Sequence, residues 1–229
     1  MKWKVITWNI AGLPNYLNLH GNPELRIQKI IQKIKSQNAD IIFLQEVFTA
    51  SLIKSIKSAF RDEYFIRSST IRRNYKWLGS GLVTLFRKSK FSVRNLKFYH
   101  FKYTSGEDKM ANKGLQIFSV YSHQLKKIII IINTHLNNPD AILCRYKNSL
   151  KVTKNQVLVV QQLVDSYKDK YTILGGDLNM SKLKFKCCIR NKIDYICVNN
   201  FSIQKNSKKI FKSKLSDHSL VSCIIKKNK

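Results

Sequence analysis

The sequence predicts an α/β protein in which a pair of β-sheets pack face to face with helices outside. Short apolar runs rich in β-branched residues recur along the whole chain, amphipathic stretches of helical period lie between several of them, and no composition break divides the chain. The 229 residues can bury a large core, and with only 3 Pro and 8 Gly there is no linker-like segment. One domain over residues 1–229 is expected.

Taken in order, strands are expected at 5–8, 41–44, 81–86, 115–121, 128–133, 171–174, 194–198 and 220–225, each an apolar run of strand length bounded by polar turns. A first helix is expected at 23–37, where Leu25, Ile27, Ile30, Ile31 and Ile34 repeat at helical spacing and Pro23 and Glu24 signal a helix start. Two more are expected at 50–60 and at about 149–167.

The formal net charge of +29 favours phosphate-rich partners, either nucleic acid or an anionic membrane surface reached through basic residues. Abundant Lys, Asn and Ile also match AT-rich coding, so charge alone names no partner. The five cysteines, Cys144, Cys187, Cys188, Cys197 and Cys223, include no C-x-x-C pair, which leads to the expectation of reduced thiols rather than a disulfide framework or a zinc site. Adjacent Cys187 and Cys188 read as buried small hydrophobes. The opening MKWKVITWNI lacks the apolar core of a signal peptide, and the longest apolar run, 128–132, is too short to span a bilayer. A cytoplasmic monomer without an obligate protein partner is expected.

Polar groups at strand ends carry the functional signal. Asn9 follows ITW, Glu46 follows IIFLQ, His135 follows IIIINT, Asp177 and Asn179 follow ILGG, and Asp217 with His218 precede SLVSCII, while Asp194 opens DYICV. Any one of these could cap or turn the chain, and GGDLN is good turn chemistry. Recurrence of carboxylate, imidazole and carboxamide at so many strand ends points instead to one convergent site. The set suits phosphodiester hydrolysis, which needs charge neutralisation at the phosphate, an activated water and help for the leaving oxygen. Glu46 is a hard ligand suited to Mg²⁺, His135 and His218 can donate to phosphate or move a proton, and Asp194 can hold an imidazole in one tautomer.

The ordered fragments TWNI, LQEV, NTHL, GGDLN, DYI and SDHSLV resemble the signature of the endonuclease/exonuclease/phosphatase superfamily, the DNase I-like fold, from Thr7 to Val221. The resemblance implies a four-layered α/β sandwich, two packed mixed sheets flanked by helices, with the site at one end of the sheets. It implies a Mg²⁺-dependent phosphodiester hydrolase, Mn²⁺ being able to substitute. By the same resemblance Asn9 and Glu46 belong to the metal site and Asp217 sits beside it. His135 stabilises the phosphate, Asp177 and Asn179 position water and phosphate, and His218 oriented by Asp194 is the general base, with Asp177 as the alternative base.

The stretch SGEDKMANKGLQIFSV (105–120) is similar to neutral sphingomyelinase-like members of the superfamily, and WNIAGLP and LQEVF lean the same way. Lys113 there reads either as a substrate-phosphate contact or as a strand-edge lysine. Trp77, in IRRNYKWLGSG with Arg72, Arg73, Tyr75 and Lys76, reads as a substrate or interface residue or as a side chain packed on the sheet. The chain lacks the long insertion between Asp177 and Asp194 and the apolar hairpin of larger sphingomyelinases. A phospholipid phosphodiesterase and a nuclease of the same fold therefore both stay open, with an inositol-phosphate phosphatase and a non-catalytic binding module behind them. His20, His100 and His123 lie outside every motif.

Overall fold

The computed structural model describes residues 1–14, 21–69, 77–140, 145–181, 185 and 187–228. His20, Arg72, Arg73, Tyr75, Lys76 and Cys144 lie outside them. In chain order the elements are β1 (Lys2–Gly12), α1 (Pro23–Lys35), β2 (Ile41–Val47), α2 (Ala50–Phe60), β3 (Tyr64–Ser68), β4 (Val83–Arg87) and β5 (Phe91–His100). There follow β6 (Gly114–Ser122), β7 (Lys127–His135), α3 (Tyr146–Ser166), β8 (Thr172–Asp177), β9 (Cys188–Asn191), β10 (Asp194–Asn199), β11 (Phe201–Ile203), β12 (Lys209–Phe211) and β13 (Leu220–Lys227).

Among the described residues these strands form one sheet in the order β11-β13-β1-β2-β4-β3, with β12 on β13, and a second in the order β5-β6-β7-β8-β10-β9. Both sheets are mixed: β1–β2 and β7–β8 are parallel pairs, joined by α1 and α3 as crossovers, and the other pairs are antiparallel. The two parallel pairs leave the carboxyl ends of β1, β2, β7 and β8 at the same edge of the sandwich.

Side-chain alternation builds the layers. On β1, Trp3 and Val5 face the second sheet and, beside Ile41 and Phe43 of β2, pack with Ile129, Ile131, Ile173 and Ile196 of that sheet. The intervening Ile6, Trp8 and Ile10 face outward against Ile27, Ile30, Ile31 and Ile34 of α1 and Leu52 and Ile56 of α2. Across the molecule Ile130, Ile132 and Leu174 cover Val160 of α3. The order is helix, sheet, sheet, helix. Asn22 caps α1 by accepting from the Glu24 amide at 2.9 Å, and Thr49 caps α2 by accepting from the Leu52 amide at 3.2 Å.

Leu25, expected on the apolar face of α1, is exposed; the buried face runs through Ile27, Ile30, Ile31 and Ile34. The expectation of free thiols is corrected at two positions, because Cys188 and Cys197 form a disulfide. They lie directly opposite on the antiparallel β9–β10 ladder, a pairing that only the fold creates. Among the described residues no helix is long and apolar enough to cross a membrane.

Candidate active site

The inward rows of the two sheets change character along their length. Below lies the aromatic and aliphatic core; above it comes a buried polar layer, and above that the ionisable residues. In the polar layer Gln45 Nε2 donates to Asn133 Oδ1 at 2.9 Å and Asn133 Nδ2 donates to Thr84 Oγ1 at 3.0 Å. Thr84 Oγ1 in turn donates to Gln116 Oε1 at 2.7 Å. These four residues tie β2, β7, β4 and β6 together across the sandwich and form the floor of the site. Sequence reasoning passed over them, although each sits at a polar break inside an apolar strand and Gln45 and Asn133 stand beside or two before a motif residue.

One step further along the same inward rows come Asn9, His135, Asp177 and Asp194. Register places His135 opposite Asp177 on β7–β8 and Asp177 opposite Asp194 on β8–β10. Glu46 joins them by a different device. Strict alternation on β2 would send it outward with Ile42 and Leu44, but its backbone is left-handed, φ 57°, and the side chain reaches Asn9 instead. Ala11 and Asn179 beside it are also left-handed, φ 48° and 50°. Backbone strain of this kind concentrates where function fixes a side chain against local preference.

Asn9 Nδ2 donates to Glu46 Oε1 at 2.9 Å and to Asp177 Oδ2 at 3.1 Å, and Asn9 Oδ1 accepts from the Ala11 amide at 3.0 Å. His135 Nε2 lies 3.5 Å from Asp177 Oδ2 and 4.0 Å from Glu46 Oε1. Its Nδ1 is buried and has no hydrogen-bond partner among the described residues. His218 Nε2 lies 3.6 Å from the same Asp177 oxygen, while its Nδ1 faces both Asp194 oxygens at 3.0 Å. Asp177 Oδ1 accepts from the Asn179 amide at 3.0 Å, and Asn179 Nδ2 donates to the Leu136 carbonyl at 2.9 Å. The GGDLN segment is thus both a turn and a site: one aspartate oxygen folds the loop and the other faces the cleft. Gly175 clears the way for it, since a Cβ there would stand 2.1 Å from the Phe43 ring.

Electrostatics follow from this crowding. Burial, then the Asp194 charge, pushes Asp177 up to about 6, and burial likewise raises Glu46 and Asp194. Burial opposes protonation of His218, but its hydrogen bond to Asp194 and the charges of Asp177, Asp194 and Asp217 outweigh that and push it up to about 10. His135 goes the other way and is held neutral by burial, by Lys113 and by His218.

Lys113 is not an exposed edge lysine. Its ammonium is buried, donating to the Leu136 carbonyl at 3.1 Å and pairing with Asp108 Oδ1 at 2.9 Å. Asp108 Oδ2 accepts from the Asn138 amide at 2.6 Å, so Asp108 clamps the 106–110 turn to the loop after β7. Sequence reasoning missed Asp108, whose spacing from Lys113 carries no signal. Trp77 is exposed and does not pack on the sheet. Asp217 is exposed as well, accepts from Ser216 Oγ at 3.2 Å, and contributes charge toward Asp194 and His218. His100 bonds Asn112 and His123 bonds Ser92, both outside the cluster. A metal-sized group of ligand atoms is formed by Asp177, Asp194 and His218, within 4.8 Å of one another. Asp194 and His218 are already engaged with each other there, which leaves Glu46 and Asp177, bridged by the Asn9 Nδ2 donor, as the open oxygen set.

The profile of the Endonuclease/Exonuclease/phosphatase family matches residues 6–218. The chain is 26% identical over 196 residues to a sphingomyelinase C from Bacillus cereus, covering 79% of this chain and 57% of that protein's length. Among solved structures, a beta toxin from Staphylococcus aureus with bound magnesium ions superposes with a TM-score of 0.76 at 16% identity, over 97% of this chain and 99% of the other. A D. rerio TDP2 complexed with single-strand DNA product superposes with a TM-score of 0.70 at 17% identity, over 98% and 99%. These superpositions establish the fold.

Proposed function

The chain belongs to the endonuclease/exonuclease/phosphatase family, and from that premise we propose that it is a metal-dependent phosphodiester hydrolase acting on a phospholipid headgroup, in the manner of a sphingomyelinase C. The convergence of Asn9, Glu46, His135, Asp177 and the Asp194–His218 pair on one cleft carries the reaction class. The similarity to sphingomyelinase C carries the substrate class.

The residues present fit a divalent cation. Glu46, Asp177 and Asp194 bring three carboxylates into a buried space, and the Lys113 ammonium nearby is committed to Asp108. Burial raises Glu46 and Asp177, so their ionised forms gain from a hard cation, and carboxylate and amide oxygens suit Mg²⁺. Glu46 would hold it, with Asp177 adjoining, and Asn9, whose Nδ2 bonds both carboxylates, would keep them in place. Bound there, it would supply charge neutralisation to the phosphate and lower the pKa of a bound water.

The chain's own residues do the rest. Neutral His135 presents Nε2 to a phosphate oxygen, and Asn179 fixes the loop that shapes the phosphate seat. Asp194 fixes His218 Nδ1, leaving Nε2 to take the proton of the attacking water. That role needs a neutral ring; the Asp177 charge is one of the groups that raise His218, so a cation neutralising Asp177 would lower it, while the Asp194 bond keeps raising it.

A nuclease is the second reading, favoured by the +29 charge and by the DNA-bound structural neighbour. The two separate in a parallel assay of phosphocholine release from sphingomyelin vesicles and Mg²⁺-dependent nicking of plasmid. The lipid reading expects the first activity; nicking without phosphocholine release overturns it and leaves the site intact.

A further inference from the structure

We propose that the rim of the catalytic cleft is a docking surface for a lipid bilayer bearing anionic headgroups, formed by Leu25, Trp77, Tyr103 and Tyr146 with nearby exposed basic residues. It rests on the phospholipid reading above. Most proteins scatter their exposed apolar side chains. Here four large ones, exposed by 80%, 74%, 61% and 55% in that order, sit at the end of the sandwich that opens to the site.

Their placement follows from topology and contacts. Leu25 lies in the first turn of α1, where the Arg26 guanidinium donates to the Ala11 carbonyl at the end of β1 and Glu24 accepts from Ser51 just beyond β2. Trp77 precedes Leu78, whose amide donates to the Met110 carbonyl, so it stands beside the turn that leads to Lys113. The Tyr103 carbonyl accepts from Gln156 of α3, and Ser105 and Ser149 are bonded around Asn137, just past His135. Tyr146 begins α3, one turn before Ser149. The four thus border the mouth from three sides: the β1–β2 end, the strand-entry loops before β4 and β6, and the start of α3.

Chemistry and shape select the partner. Tryptophan and tyrosine seat at headgroup level, and Lys102, Arg145 and Lys147, all exposed beside the tyrosines, complement anionic lipid. A surrounding rim fits a plane. Single-stranded nucleic acid would need a linear track of stacking rings, and exposed aliphatic Leu25 offers a base no π-face. A bilayer-seated mouth would open directly onto the headgroups.

The test is sedimentation of the full chain, in chelator so that no turnover intervenes, with phosphatidylcholine vesicles with and without phosphatidylserine. The rim triple variant Leu25→Ser/Tyr103→Ser/Tyr146→Ser is compared with a double control, Ile128→Ser/Leu158→Ser. The control removes side chains of similar exposure, 55% and 58%, at the opposite end of β7 and mid-α3. The expected result is a loss of about 10-fold or more in partitioning for the rim variant and less than about 2-fold for the control, with phosphatidylserine strengthening wild-type binding. Equal partitioning of rim variant and wild type overturns the proposal, as does an equal loss in the control. Loss of single-stranded oligonucleotide binding in the rim variant, with vesicle binding retained, also overturns it in favour of nucleic acid. Turnover of a soluble phosphocholine diester, measured separately, stays within about 2-fold of wild type in the rim variant, which verifies its fold. Its absence in wild type overturns the substrate reading while rim-dependent vesicle binding still stands.

Discussion

His218 and Asp194 form one unit: the Nδ1 of the imidazole faces both carboxylate oxygens at 3.0 Å, although Asp194 opens β10 of one sheet and His218 lies just before β13 of the other. Removing either partner disables the pair. His218→Ala and Asp194→Asn should therefore each lower kcat by about 100-fold or more, and the double variant should fall little below the worse single one. Steady-state kinetics on the four proteins check this. Fully multiplicative losses would show that the residues act separately.

The same pair sets a pH dependence of stability. His218 is raised from 6.5 to about 10 in the metal-free fold. A raised folded pKa stabilises fully below the unfolded value and is lost as pH climbs through the folded one. The Tm advantage of metal-free wild type over His218→Ala should accordingly be largest below about pH 6.5 and shrink toward pH 10. Calorimetry across that range checks it, and an advantage that grows with pH would contradict it.

Lys113 acts on its neighbours through charge. It lowers the pKa of both Glu46 and His135, so Lys113→Met should raise both. An upward shift of the His135 titration, followed by NMR, is expected. The variant also strands Asp108 beside the Asn138 amide without its cation, which should lower stability by about 1–3 kcal/mol. An unmoved His135 would place Lys113 outside the electrostatics of the cleft.

Gly175 is held by packing. In Gly175→Ala the new methyl would meet the Phe43 ring at 2.1 Å, forcing apart β8 and β2, which carry Asp177 and Glu46. Overpacking of this sort costs about 1–3 kcal/mol. Activity should fall more than stability alone accounts for, and Phe43→Leu should restore part of both. Chemical denaturation and turnover on the same samples separate the two effects.

The layered fold was legible because alternation and helical period are local signals. Ile41, Phe43 and Gln45 face inward and Ile42 and Leu44 outward as period two requires, and α2 spans Ala50–Phe60 as its spacing predicts. The strand β5 was not legible: Arg94, Asn95 and Lys97 interrupt its apolar residues because it is an edge strand with one solvated face. The site residues announced themselves as polar groups at apolar strand ends. Their partnerships did not. The left-handed turn that brings Glu46 onto Asn9, the Asp108–Lys113 pair and the Cys188–Cys197 bridge all depend on which strands lie side by side, and that is a property of the whole fold.

The measurement that bears most directly on the central claim is Mg²⁺-dependent phosphocholine release from sphingomyelin by wild type and by Glu46→Gln at equal fold content. Glu46 anchors the proposed metal side of the cleft, touching Asn9 at 2.9 Å and lying 4.0 Å from His135. The glutamine keeps shape and hydrogen bonding while removing the charge. Wild type should release phosphocholine only with the metal present, and Glu46→Gln should lose more than about 100-fold of that rate. A near wild-type rate in Glu46→Gln, or release by wild type that is indifferent to chelation, would contradict the account.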